Sequence, residues 1–366
     1  MRMFQVCVCG QPLQLNEQPT PEPQGSEVLL KVLAAGVCHS DLHAITGDLT
    51  AQLPAVLGHE GAGTVTAVGS GVQGLAPGDK VVLSWTPNCG HCYYCEHGHP
   101  NLCDGLAAVY ANGTLPGGAV RLSRHGEPVH HYLGVSCFAE QAVVPASGAI
   151  RVPPETDLQT AAVLGCAVTT GVGAAIRTAR VEPGSTCAVF GTGGVGLNVI
   201  QGCKLAGAGR IIAVDLLDSK LERAMAFGAT HAVNASREPA HKAIRALTGG
   251  RGADYAFEVV GNPQVVQSAF NSTAKASTLV CVGMAPIKTQ YSFDAYFLVA
   301  GEKRILGSFY GSSDPKLAIP QLLELQQLGR LELGALITHR FGLDEINAAV
   351  RALQGGEAIR PLVLFD

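Results

Sequence analysis

TCAVFGTGGVGLNVIQGCKLA, residues 186–206, is the stretch that decides the fold. It opens on a short apolar run, Cys187-Ala188-Val189-Phe190, of the kind a strand buried on both faces shows. It turns through Gly191-Thr192-Gly193-Gly194-Val195-Gly196 and continues with apolar residues at helical spacing: Val195, Val199, Cys203 and Ala206. Gly191 permits the tight turn off the strand, Gly193 lets backbone approach a pyrophosphate, and Gly196 lets the helix pack closely on the sheet. The free amides of that helix, from Gly194 onward, and its positive dipole end then face the phosphates.

With 45 glycines in 366 residues such a spacing is weak alone, and its context carries the reading. Twenty-four residues after Gly191 a second apolar run, Arg210-Ile211-Ile212-Ala213-Val214, ends in Asp215. A dinucleotide site wants an acceptor for the adenosine ribose hydroxyls at that place. A carboxylate there repels a 2′-phosphate, and Leu216 and Leu217 follow rather than an arginine, so the expected cofactor is NAD and not NADP.

The length suits two domains, each with its own core. Hydrophobic residues make up 47% and charged residues 15%, which excludes a disordered chain. A net charge of −4 with no basic run argues against nucleic acid or an anionic membrane as partner. The segment MRMFQVCVCGQPLQLNE has no apolar core of signal-peptide length, and no stretch approaches a membrane span, so the expectation is a cytoplasmic protein.

Residues 1–167 and 307–366 read as one β-rich domain with Gly/Pro punctuation, its strands expected near 27–33, 61–68, 80–83 and 138–144. Residues 168–306 alternate strands (187–190, 210–214, 231–233, 254–259, 278–283, 304–308) with helices (195–206, 218–227, 239–247, 263–274), and a further helix is expected at 315–328. Such alternation means an α/β, doubly wound parallel sheet. The segment 104–134 reads as a long loop without elements of its own, and 360–365 as a strand that rejoins the first domain.

Cys89-x-x-Cys92-x-x-Cys95-x7-Cys103 gathers four thiols within fifteen residues, enough to close a tetrahedral shell. An all-sulfur shell suits a structural zinc. The rival iron–sulfur run has a last gap of three and a proline after its final cysteine, whereas here the gap is seven and Asp104 follows. His91, His97 and His99 are expected on the surface of this lobe. Spacing alone does not join Cys38, His59 and Cys166, because single cysteines are commonly buried small hydrophobes.

The sequence resembles the zinc-containing medium-chain alcohol dehydrogenases over essentially its whole length, and among them the dimeric, long-loop branch of class I and class III type. The motifs are GVCHSDLH (36–43), LGHEGAGTV (57–65), the four-cysteine lobe, LGCAVTTG (164–171), VFGTGGVGL (189–197), IIAVDLLDSK (211–220) and IRPLVLF (359–365). The resemblance implies a GroES-like catalytic domain beside a Rossmann domain. It also implies two zincs per chain, one structural and one catalytic, the latter held by Cys38, His59 and Cys166 with an open fourth position.

Further roles follow from the resemblance alone. Ser40 and His43 would carry the proton outward, Asp41 would accept from His59, and Glu60 would lie behind the metal. His39 and Arg360 would meet the pyrophosphate, Lys220 the adenosine ribose, Thr170 the nicotinamide carboxamide, and Val195 the back of its ring. Trp85, Tyr110, Tyr132 and Leu133 would line an apolar channel for aromatic or medium-chain primary alcohols. Relatives acting on the formaldehyde–glutathione adduct carry an acid before the GHE segment. Interval 47–54 is one residue shorter and has no glutamate there, and Arg121 and Arg124 sit farther along, so a thiol-adduct dehydrogenase is the runner-up, with Asp48 the residue near that place. Reuse as a non-enzymatic structural protein is disfavoured because Ser40 and all three metal ligands are intact. The branch implies a homodimer through 278–283 and 304–308.

Overall fold

The structure, a computed structural model, describes residues 1–49 and 51–365; Thr50, inside the 47–54 interval, and Asp366 lie outside the described residues. The chain divides into two compact units: Met1–Cys166 with Asp314–Gly329 and Leu333–Asp366, and Ala167–Ser313 with Arg330–Glu332. The return to the first unit thus falls after Ser313, not at 307. Ser308 still donates its amide to Cys281 (2.9 Å), and Gly311 packs its backbone on Thr169 and Gly173. Glu332 joins the second unit by exchanging two hydrogen bonds, 2.7 and 3.0 Å, with the Gln201 side chain.

The second unit is a six-stranded, wholly parallel sheet in the order His231–Asn234, Arg210–Asp215, Thr186–Phe190, Ala253–Glu258, Thr273–Cys281, Arg304–Gly307. Parallel neighbours need crossovers. Helices Gly194–Leu205, Asp218–Ala226, Ala240–Leu247, Pro263–Ser272 and the short Ala295–Ala300 lie in them. On one face of the sheet Phe190, Ile212, Val214 and Leu279 pack with Ile244 and Phe270, from helices Ala240–Leu247 and Pro263–Ser272, in one core. The strand order reverses beside Thr186–Phe190, where the glycine turn leaves the sheet. Gly191 has φ +91°, and a Cβ on Gly196 would stand 1.9 Å from the Gly191 carbonyl oxygen, so both positions admit only glycine.

The first unit holds two sheets. In the larger, Glu27–Gly36 lies between Glu60–Val68 and Arg360–Leu364, antiparallel to both, and Gln141–Pro145 also pairs with it. Helix His39–Thr46 begins directly after Glu27–Gly36, so two adjacent strands deliver Cys38 and His59 to one end of the sheet.

The segment 104–134 is not a structureless loop. It contains helix Asp104–Asn112 and a hairpin, Leu122–Arg124 with Glu127–His131. Leu106 and Val109, three apart, bury the helix, and Gly113 stops it at φ +61°. The hairpin turns through His125 and Gly126, both at positive φ. Small residues in the helix and Pro128 in the hairpin hide both periods from a sequence reading. No single helix among the described residues is long and apolar enough to cross a membrane.

Candidate active site

Cys38 caps helix His39–Thr46, and Asp41 in its first turn reaches back to the Cys38 amide with Oδ2 (2.9 Å). Its other oxygen accepts the Gly58 amide at 3.1 Å and faces His59 Nδ1 at 3.2 Å. One fully buried carboxylate therefore ties together the two segments that carry Cys38 and His59. A proton on His59 Nδ1 turned toward Asp41 would leave Nε2 with its lone pair free. That atom is buried without a hydrogen-bond partner.

Cys166, just after the short turn Ala162–Gly165, completes the set. The donor atoms of Cys38, His59, Glu60 and Cys166 all lie within 4.8 Å of one another. An unsatisfied buried imidazole nitrogen between two thiols is costly unless an electrophile sits there, and this donor set suits zinc. Behind it the Arg360 guanidinium stands 3.3 Å from Glu60 and donates to the Val37 carbonyl at 3.1 Å. Burial pushes the Glu60 carboxyl up to about 7, and the Arg360 charge opposes that rise. Arg360, expected at the pyrophosphate, pairs with Glu60 in the first unit, where its side chain is 3% exposed.

Aromatic rings wall this centre. The edges of Trp85 and Tyr132 meet the His59 ring at centroid distances of 6.4 and 5.8 Å, and Tyr110 leans on Trp85 at 6.1 Å. Two phenols are tethered to backbone: Tyr110 donates to the Trp85 carbonyl and Tyr132 to the Ser40 carbonyl, each at 2.7 Å. Leu133 follows, half-buried, at φ +52°. Ser40 Oγ is 3.9 Å from Cys38 Sγ. His43, one turn along the helix, faces Asp48 at 3.4 Å, and its side chain is 28% exposed. His39 lies exposed at the helix start.

The four-cysteine lobe has Sγ–Sγ separations of 3.5 Å (Cys92–Cys95), 3.8 Å (Cys92–Cys103) and 4.0 Å (Cys89–Cys95). A tetrahedral ZnS4 shell requires about 3.8 Å, from Zn–S bonds of about 2.3 Å. All four sulfurs lie within 4.8 Å, so the lobe also fits the ion. His97 stacks on Tyr93 at 4.1 Å and is exposed, away from the sulfurs' set.

In the second unit, Asp215 Oδ2 accepts both the amide (2.8 Å) and the hydroxyl (3.0 Å) of Thr192, and Oδ1 accepts the Leu216 amide at 2.8 Å. The acceptor is thereby fixed beside the glycine turn. Space is open around Gly193, Gly194 begins the helix, Val195 is half-buried, and Lys220 is half-buried on helix Asp218–Ala226. The Thr170 hydroxyl is buried without a partner, which suits a ligand amide. Sequence reasoning missed the Glu60–Arg360 pair, three hundred positions apart, and Glu258, whose only signal was an acid ending an apolar strand.

Residues 24–154 match the alcohol dehydrogenase GroES-like domain and residues 194–327 the zinc-binding dehydrogenase family. An NDMA-dependent alcohol dehydrogenase of Amycolatopsis methanolica is 40% identical over 360 residues, 98% of this chain and 96% of its own. Two solved structures are similar throughout. An alcohol dehydrogenase zinc-binding domain protein from Burkholderia ambifaria is 38% identical, with TM-score 0.95 over 100% of this chain and 98% of that one. Benzyl alcohol dehydrogenase from Acinetobacter calcoaceticus is 33% identical, with TM-score 0.92 over 100% and 99%.

Proposed function

The chain belongs to the zinc-containing medium-chain alcohol dehydrogenases, and we propose that within them it reversibly oxidises aromatic primary alcohols, with NAD as hydride acceptor. The observation that carries this reading is His59 Nε2, orphaned in a donor set with two thiols, its ring flanked by Trp85 and Tyr132, with Tyr110 behind Trp85. The aromatic wall suits a flat apolar substrate, in keeping with the 33% identical relative that is named for benzyl alcohol.

Cys38, His59 and Cys166 would hold a catalytic zinc, and Cys89, Cys92, Cys95 and Cys103 a structural one. Bound there, the catalytic ion supplies a Lewis acid that makes an alcohol proton easier to lose. The chain does the rest. Asp41 fixes the His59 tautomer. Ser40 accepts the departing proton, and His43, steadied by Asp48, passes it to water. Trp85 and Tyr132 orient the ring and exclude solvent. Asp215 and Lys220 take the adenosine ribose, the amides from Gly191 to Gly196 and His39 the pyrophosphate, Thr170 the carboxamide, and Val195 backs the nicotinamide. The enzyme is proposed as a cytoplasmic homodimer: the sheet edge at Arg304–Gly307 and the exposed Tyr296, Phe297 and Val299 are what a second copy would cover.

The test is NADH formation, followed by absorbance, across ethanol, hexanol, benzyl and cinnamyl alcohol and a formaldehyde–thiol adduct. An optimum at benzyl or cinnamyl alcohol supports the reading; an optimum at ethanol or the adduct overturns the substrate assignment. The relative's dependence on NDMA favours a second reading, in which turnover needs that acceptor rather than free NAD. Benzyl alcohol oxidation with NDMA present, and none with NAD alone, would establish it.

A further inference from the structure

Glu258 ends the strand Ala253–Glu258, paired with Phe190 on one side and Cys281 on the other. It is fully buried. Its Oε1 accepts two successive amides of the loop that follows, Val260 and Gly261, each at 2.9 Å. Its own carbonyl accepts the Val282 and Gly283 amides at 2.8 and 3.0 Å. One residue thus fastens the loops leaving two neighbouring strands, and the Val259 amide, bound to the Phe190 carbonyl at 3.0 Å, adds the third.

The fastened loop stands against the glycine turn. A Cβ on Gly191 would come within 2.7 Å of Val260 Cγ2, and one on Gly283 within 2.1 Å of the Gly261 nitrogen. Val260 is 51% exposed at this edge, so where it sits sets the width of the crevice beside Gly191. The helix after the loop does not need Glu258, because Asn262 caps it through the Gln264 and Val265 amides. Burial raises the Glu258 carboxyl, and the loop amides oppose that rise. A buried acid is costly, Oε2 has no hydrogen-bond partner, and the bonds from the Val260 and Gly261 amides to Oε1 offset part of that cost.

We propose that Glu258 is a positioning residue for the dinucleotide: its carboxylate fixes Val260 against Gly191 and so holds the crevice at the width the cofactor needs. This rests on the proposed dinucleotide site in the second unit. The test is NADH binding by fluorescence titration of the zinc-loaded protein, with KM for NAD and kcat measured alongside. In Glu258→Met, which keeps the volume and removes the acceptor, NADH affinity falls about tenfold and KM rises with it, while kcat at saturating NAD stays within about threefold. Glu258→Gln still offers a carbonyl oxygen and restores binding to within about threefold of the native chain.

A folded Glu258→Met protein that binds NADH like the native chain would overturn the proposal and leave the cofactor site standing. If that variant does not fold, Val260→Ala decides. A loss of about threefold or more supports the proposal and unchanged binding overturns it. Native protein that binds no dinucleotide would overturn the cofactor reading, and this inference with it.

Discussion

Asp41 Oδ1 lies 3.2 Å from Nδ1 of His59, and the same carboxylate holds the amides of Cys38 and Gly58. It is the joint on which the donor set is built. Asp41→Asn keeps the shape but offers the Cys38 and Gly58 amides a single acceptor oxygen and no charge. Catalytic zinc occupancy or turnover is expected to fall about 10- to 100-fold, with the four-cysteine zinc retained. Elemental analysis beside an alcohol assay checks this, and native zinc content with native turnover would contradict it.

Cys92 lies 3.5 Å from Cys95 and 3.8 Å from Cys103, so Cys92→Ser opens the shell on two sides. Zinc per chain should fall by one, and the thermal midpoint should drop by several degrees. An unchanged metal count would show that the lobe holds no ion.

Asp215 is held by both donors of Thr192. Asp215→Gly removes the proposed ribose acceptor and a charge that would repel a 2′-phosphate. NADH affinity is expected to fall about tenfold while NADPH binding holds or improves. An unaltered preference in parallel titrations would move the ribose contact elsewhere.

His131 is buried, and its Nε2 accepts the Arg121 amide at 3.1 Å. Burial first, then Arg121, pushes its pKa from the ordinary 6.5 down to about 3. Below 6.5 the unfolded chain takes a proton that the folded chain refuses until about 3, so stability drains away as pH falls through that window and is unaffected above it. The slope from this group is at most about 1.4 kcal/mol per pH unit. Denaturant midpoints between pH 7 and 4 should fall less steeply in His131→Gln, and parallel curves would refute this.

Trp85→Ala removes one edge of the wall at His59. Its kcat/KM for benzyl alcohol should fall about 10- to 100-fold against a much smaller change for ethanol. Equal losses for both alcohols would place Trp85 in the scaffold rather than the channel.

The second unit was legible because its signals are local: apolar runs, helical spacing, and a glycine turn with an acid 24 residues on. The cysteine lobe was legible for the same reason. Cys38, His59 and Cys166 were not, since strand pairing brings the first two together and a turn more than a hundred residues on adds the third, and only the family likeness reached them. The segment 104–134 failed differently. Its helix buries just Leu106 and Val109, and its hairpin contains a proline, so neither period rises above the polar background. The pairing of Arg360 with Glu60 has no sequence signal at all.

The first unit is interrupted in the chain by the second: Arg360–Leu364 lies beside Glu27–Gly36 yet follows residues 167–313. On the ribosome that interruption becomes a delay. The four cysteines of the lobe emerge together, so the ion proposed for them could be captured early. Glu60 waits for Arg360 until the whole second unit has been made, about 10 to 40 s after Cys166 appears at ordinary rates of synthesis. The two proposed metals would thus have different earliest moments of arrival, and the buried frame around Cys38, His59 and Cys166 closes last.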